Sequence, residues 1–165
     1  MTILIVESPA DIDAPGTLWR GRDGAPPFLL TVEQLDSAVL DSSLYGEGCV
    51  ISIGRELWPA PAPQGLPDAP ILFSAAQEPA EGYEEDFHNW MTQEHLPALA
   101  AVPGVIGARW YVLIKGSPRY LALYFLADAD VVVSEEWKSP GRSAWASRLM
   151  PHRVGRTFRL FERAL

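Results

Sequence analysis

A helical pattern of apolar positions is the clearest feature of the second half of the chain. Apolar residues recur at helical spacing from Phe87 to Val102 and predict a helix over residues 81–101. Four acidic residues lie in its first turns, where they suit the positive end of the helix dipole. Pro97 lies inside this helix, so we expect a kink or a break there.

Strand patterns surround this helix. Short apolar runs bounded by turn residues predict strands on both sides of it, and Gly116-Ser117-Pro118 joins two of them into a hairpin. A mostly helical stretch then precedes the last strand. The order is β-α-β-β-α-β, the ferredoxin-like unit. The predicted strands cover residues 71–75, 105–114, 120–126 and 157–162, and the helical stretch covers 131–150.

The first half of the chain repeats part of this pattern in a shorter form. Residues 28–45 match residues 120–137 at an offset of 92. The first and third strands are 25 residues apart in the first copy and 49 in the second, a difference of 24 residues, about one long helix and a loop. We therefore expect a β-β-β-α-β remnant that lacks its first helix. Its bare sheet face needs a cover: the proline connector, a partner chain or a ligand.

A proline-rich connector divides the chain. Residues 58–70, WPAPAPQGLPDAP, contain five prolines and one glycine, which excludes a helix or a central strand. The predicted organisation is a degenerate repeat at 1–57, the connector at 58–70 and a complete repeat at 71–165.

Composition and charge narrow the class of protein. The 165 residues are 48% hydrophobic, without an apolar run long enough to span a membrane. The start lacks a basic signal region, and Cys49 has no second cysteine to pair with, so we expect a cytoplasmic protein. Seven of the thirteen Lys and Arg residues follow residue 137. We expect these basic residues to pair with acidic residues elsewhere in the chain. Binding to nucleic acid is disfavoured, because a protein with a net charge of -8 repels the phosphate backbone.

Three segments resemble the dimeric α/β-barrel superfamily, and its EthD-like members most closely. They are EEDFHNWMTQEHLPALAAVPGVIGARWYVL at 84–113, PRYLALYFL at 118–126 and SAWASRLMPH at 143–152. The resemblance implies an α+β fold in which ferredoxin-like repeats form a dimeric α/β barrel, with the first repeat truncated. It also implies a homodimer, and a pocket between sheet and helices towards which His95 is directed. The sequence does not decide whether the barrel closes within one chain or between two chains.

Two residues are candidates for catalysis. The neutral imidazole of His95 can take a proton from an acidic carbon or a phenol, and the Tyr124 hydroxyl can orient a carbonyl or stabilise an enolate. For His95, a structural hydrogen bond to a carbonyl freed by Pro97 is an equal alternative. Six further side chains are candidates for substrate binding: His88, Trp90, Met91, Arg109, Tyr120 and Trp145.

Each of these six has a structural alternative. His88 has the surroundings of a solvated surface group, the aromatic residues can pack in the core or a dimer interface, and Arg109 can pair with Glu94 or a neighbouring carboxylate. The sequence contains no zinc, phosphate-loop or nucleophile-elbow motif, so we expect no metal and no cofactor.

The resemblance implies a function of a general kind. The superfamily includes cofactor-free monooxygenases, polyketide cyclases, lactone isomerases and haem enzymes. We expect a small cofactor-independent enzyme that abstracts a proton from a hydrophobic, aromatic or polyketide-like molecule, as a cyclase, isomerase or monooxygenase. Two alternatives stay open: a non-catalytic binding or assembly protein of the same fold, and a haem enzyme with His152 or His95 as axial ligand.

Overall fold

The computed structural model describes residues 1–33, 42–59 and 63–165. Eight antiparallel strands close into one barrel within these residues. The strands are β1 (Thr2–Ser8), β2 (Thr17–Arg22), β3 (Phe28–Glu33), β4 (Val50–Trp58), β5 (Ile71–Pro79), β6 (Val105–Lys115), β7 (Tyr120–Leu126) and β8 (Arg153–Arg163).

The order of the strands repeats. Around the barrel it is β1-β3-β2-β8-β5-β7-β6-β4, so β4-β1-β3-β2 and β8-β5-β7-β6 follow the same ferredoxin-like order. Pairing of β2 with β8 and of β4 with β6 joins the two sets. The α+β prediction is confirmed, and the barrel closes within one chain. The division at residues 57 and 71 stays a prediction.

One interrupted helix covers the outer face of β5–β8. It consists of α1 (Glu84–Trp90), a π-helical turn (Met91–His95) and α2 (Leu96–Ala100). The kink expected at Pro97 takes the form of this turn, in which the Leu96 amide donates to the Met91 carbonyl, five residues back. Proline lacks an N–H and crowds the preceding turn, and a wider turn relieves both.

The second helical region is more fragmented than predicted. It contains α3 (Glu135–Lys138), α4 (Ala144–Leu149) and 3₁₀ turns at Ala129–Val133, Ser139–Arg142 and Met150–His152. Ser134 and Ser143 explain the breaks, because each caps the helix that follows it and accepts a hydrogen bond from a backbone amide in its first turn. None of the described helices is both long and apolar enough to cross a membrane.

Three apolar clusters hold the barrel together. One fills its interior, one lies between β5–β8 and the helices, and one covers the outer face of the first four strands. In the last, Ile12 and Tyr45 pack against β1 and β3. The connector was one expected cover for this face, but its Leu66 and Ala69 pack in the interior cluster instead. The helix predicted after β3 falls mainly on residues 34–41, outside the described residues.

Candidate functional site

A pocket lies between the outer face of β5, β7 and β8 and the helical segments that cover it. Its volume is about 390 Å³, and small-molecule sites typically measure about 300–1,000 Å³. The described lining includes aromatic, polar and cationic side chains but no carboxylate. The pocket is therefore suited to an aromatic ligand that bears or develops negative charge.

Four aromatic rings form one wall. Phe73 lies 6.2 Å from Tyr124, 5.4 Å from Trp137 and 6.0 Å from Phe158, measured between ring centroids. Trp137 also meets Tyr124 edge-on at 5.0 Å. Phe158 is 53% exposed and Tyr124 only 1%, so this wall runs from the solvent to the core. Such a wall offers both edges and faces to a flat ring system.

His95, the first candidate base, lines the pocket from the π-helical turn. Its ring stacks on Trp90 at 4.2 Å, and its Nδ1 is buried without a hydrogen-bond partner among the described residues. Burial, and to a smaller extent the Arg153 cation, lower the pKa of His95 to about 3. The imidazole is therefore neutral at physiological pH. Among the described residues, Nδ1 therefore makes no structural hydrogen bond to a carbonyl freed by Pro97.

Tyr124 lies in the same pocket and keeps its proton. Burial raises the pKa of its hydroxyl, and the Arg153 cation lowers it by less. A protonated phenol donates a hydrogen bond to a carbonyl or enolate oxygen. Gln77 also lines the pocket; it is 4% exposed, and its Oε1 has no partner among the described residues.

Arg153 and Arg156 complete the pocket, and neither was predicted as a site residue. Both donate to the sulfur of Met150, at 3.3 Å and 2.8 Å. Neither forms an ion pair with a described carboxylate, whereas the other five late cations do. The expectation that these basic residues pair internally is wrong for these two. A signal was present: only Glu162 is acidic after residue 137.

The remaining predicted residues lie elsewhere. Trp90 is buried behind His95, and Met91 is buried in the same apolar cluster. His88 is exposed and lies 5.2 Å from the ring of Trp110, which stacks on Tyr120. None of these residues is part of the pocket lining.

Arg109 and Trp145 have partners of their own. Arg109 forms an ion pair with Glu56 at 3.3 Å, not with Glu94, and donates to the Gly65 carbonyl. Trp145 donates to Asp86 at 2.9 Å and so ties α4 to α1. Both contacts account for these side chains without a ligand.

Comparisons with known proteins address the fold. No protein-family model and no curated protein matches the chain. Nine solved chains match its structure. An anthrone oxidase-like protein has a TM-score of 0.63 at 11% identity, covering 99% of this chain and 91% of its own. A major regulator of staphylococcal pathogenesis has a TM-score of 0.62 at 12% identity, covering 100% of both. A candidate monooxygenase from Lactobacillus acidophilus has a TM-score of 0.53 at 11% identity, covering 98% and 77%.

The chain has the dimeric α/β-barrel fold. Identities this low show nothing beyond the fold. Within this barrel, the two histidines considered as haem ligands differ in position. His152 stacks on Tyr83 at 3.7 Å and does not line the pocket, whereas His95 does. A ligand that enters the pocket can therefore meet His95 but not His152.

Proposed function

We propose that this protein is a small cofactor-independent enzyme of the monooxygenase type, acting on an aromatic or polyketide-like ketone with an acidic C–H group. One observation carries the proposal: a neutral, buried His95 lies in an aromatic pocket with the Tyr124 hydroxyl and the Arg153 cation. An acceptor, a donor and a positive charge are the groups that proton abstraction and enolate stabilisation require.

The first step is the removal of a proton. His95 accepts it from a CH₂ group next to the ring system, and the electron pair moves onto the carbonyl oxygen as an enolate. Tyr124 donates a hydrogen bond to that oxygen, and Arg153 stabilises its charge. A pKa of about 3 makes His95 a weak base in the empty pocket, so proton abstraction depends on the enolate that forms beside it. The negative charge of the enolate stabilises the imidazolium, which later returns the proton readily.

The second stage consumes oxygen. The enolate carbon transfers electrons to O₂ and forms a C–O bond, and the resulting peroxide takes the proton from the imidazolium. Loss of the remaining C–H proton with cleavage of the O–O bond then releases water and leaves a carbonyl. The balance is CH₂ + O₂ → C=O + H₂O. All the electrons come from the substrate, so no external reductant is needed.

The solved neighbours support this choice among related reactions. One is an anthrone oxidase-like protein and another a candidate monooxygenase. Cyclases and isomerases share the enolate step but consume no oxygen, so oxygen uptake separates them from the proposal. We also propose that the protein is related most closely to EthD-like proteins, forms a homodimer and is cytoplasmic. Light scattering tests the homodimer.

The test uses anthrone and an oxygen electrode, with anthraquinone measured by chromatography. We expect His95→Gln to lower kcat by about 100-fold or more, the usual contribution of a general base. The matched control is His88→Gln, because His88 is on the same helix but exposed and outside the pocket. Equal activity of His95→Gln and the wild type overturns the proposal. A Soret or flavin band in the active protein overturns cofactor independence.

A second candidate function is ligand binding without turnover. The lowered pKa of His95, about 3, favours it, because an imidazole this weakly basic is poorly suited to proton abstraction. It predicts saturable binding of anthrone with no oxygen uptake. His95→Gln would then change only the affinity.

A further inference from the structure

Two guanidinium groups in the pocket share a single weak acceptor. Arg153 donates to the Met150 sulfur at 3.3 Å and Arg156 at 2.8 Å. A thioether carries no charge and accepts hydrogen bonds weakly. The two positive charges therefore lie near each other, and no carboxylate of the described residues compensates them.

The other two cations that line the pocket each have a carboxylate partner. Lys138 and Arg142 both pair with Glu135, which is itself well exposed. Arg153 and Arg156 pair with no described carboxylate, and the buried Nε of Arg153 has no described partner. Burial lowers the pKa of Arg153 to about 10, and the Arg156 charge contributes to a smaller extent in the same direction.

The two arginines also differ in depth. Arg156 is exposed, whereas Arg153 is half-buried and lies over the Trp90 ring at 4.9 Å. A carboxylate between them would lie near the solvent. A ring attached to it could then extend along Phe73 and Trp137 towards His95 and Tyr124, which line the same pocket.

We propose that the natural ligand is an aromatic carboxylate whose carboxyl group Arg153 and Arg156 bind together, displacing the Met150 sulfur as their acceptor. This rests on the proposed function only in that the pocket binds an aromatic ring. A planar guanidinium presents paired N–H donors that match the two oxygens of a carboxylate, which a thioether cannot do. The carboxylate also removes the repulsion between the two cations.

The test compares 1-hydroxy-2-naphthoate with 1-naphthol, which has the same ring and hydroxyl but no carboxylate. Isothermal titration calorimetry on the wild-type protein should give at least tenfold tighter binding of the acid. Added salt should weaken binding of the acid more than that of the naphthol, because ionic strength screens the exposed part of the contact.

Arg156→Gln should remove most of this preference and leave 1-naphthol binding unchanged. Arg22→Gln is the matched control, because Arg22 is an exposed arginine on β2 outside the pocket, and it should keep the full preference. Equal affinity of the wild type for both probes, no binding of either, or an undiminished preference in Arg156→Gln overturns the inference.

These experiments test the carboxylate inference and the enzymatic proposal independently of each other. If the acid binds selectively but no oxygen is consumed, the inference stands and the enzymatic proposal fails. If His95→Gln abolishes oxygen uptake but Arg156→Gln does not change the preference, the enzymatic proposal stands and the inference fails.

Discussion

The guanidinium of Arg153 lies 4.9 Å from the centre of the Trp90 ring, which also stacks on His95 at 4.2 Å. Each of the three residues has a buried nitrogen with no hydrogen-bond partner among the described residues: Arg153 Nε, Trp90 Nε1 and His95 Nδ1. Buried polar groups are rarely left unpaired in folded proteins. These three nitrogens belong to one set of contacts beside the pocket, whose lining includes His95 and Arg153.

Replacing Trp90 tests this arrangement. Trp90→Phe removes contact area from both the His95 ring and the Arg153 cation, and we expect it to lower the free energy of unfolding by about 1–3 kcal/mol. Urea denaturation measures the change. Trp145→Phe is the control, because it makes the same change outside the pocket, where Trp145 packs against the same apolar cluster and donates to Asp86. Equal ligand affinity in the two variants would show that Trp90 does not organise the site.

The buried His95 makes stability depend on pH. Its pKa is about 3 in the folded protein against 6.5 unfolded, so between these values the unfolded state binds a proton that the folded state does not. The stability is fully present above about pH 6.5 and is lost towards pH 3, by about 1 kcal/mol per pH unit. Denaturation of wild type and His95→Gln at several pH values measures it. Parallel curves would contradict the low pKa.

The rate of oxygen uptake should have a different pH dependence from that of an ordinary histidine base. Because the pKa of His95 is lowered to about 3, activity should not decline through the usual histidine range near pH 6.5. The pH profile of kcat/KM with anthrone measures this. A decline near pH 6.5 that persists in His88→Gln would mean that His95 titrates normally.

The ion pair between Arg109 and Glu56 should contribute to stability and not to binding. Their side chains are 8% and 2% exposed, and burial raises the pKa of Glu56 against the opposing effect of Arg109. Glu56→Gln leaves a buried cation unpaired and should cost about 3–5 kcal/mol, whereas the double variant Arg109→Met/Glu56→Leu should be nearly neutral. Thermal and urea denaturation measure both. A changed affinity for 1-naphthol in the double variant would show that Arg109 contributes to ligand binding after all.

Local pattern was enough to predict much of the fold. The β6–β7 hairpin lies where apolar runs and turn residues placed it. Barrel closure could not be predicted, because it depends on pairing between β2 and β8, which are far apart in sequence. Similarly, His95 and Tyr124 follow from residue chemistry. Arg153 and Arg156 do not, because the excess of basic residues after residue 137 does not tell which of them lack an acidic partner.

The π-helical turn at Met91–His95 holds about one residue more than an α-helical turn, because the Leu96 amide bonds five residues back. Loss of one residue inside it, such as Thr92, would let the segment rewind with about 3.6 residues per turn and leave α2 and His95 in nearly the same orientation relative to α1. A regular α-helix advances about 100° per residue, so the same loss inside α1 would rotate everything beyond it by about that angle and take His95 out of the pocket. The turn is therefore the place in this helix where a single-residue deletion is absorbed locally and the pocket keeps its histidine.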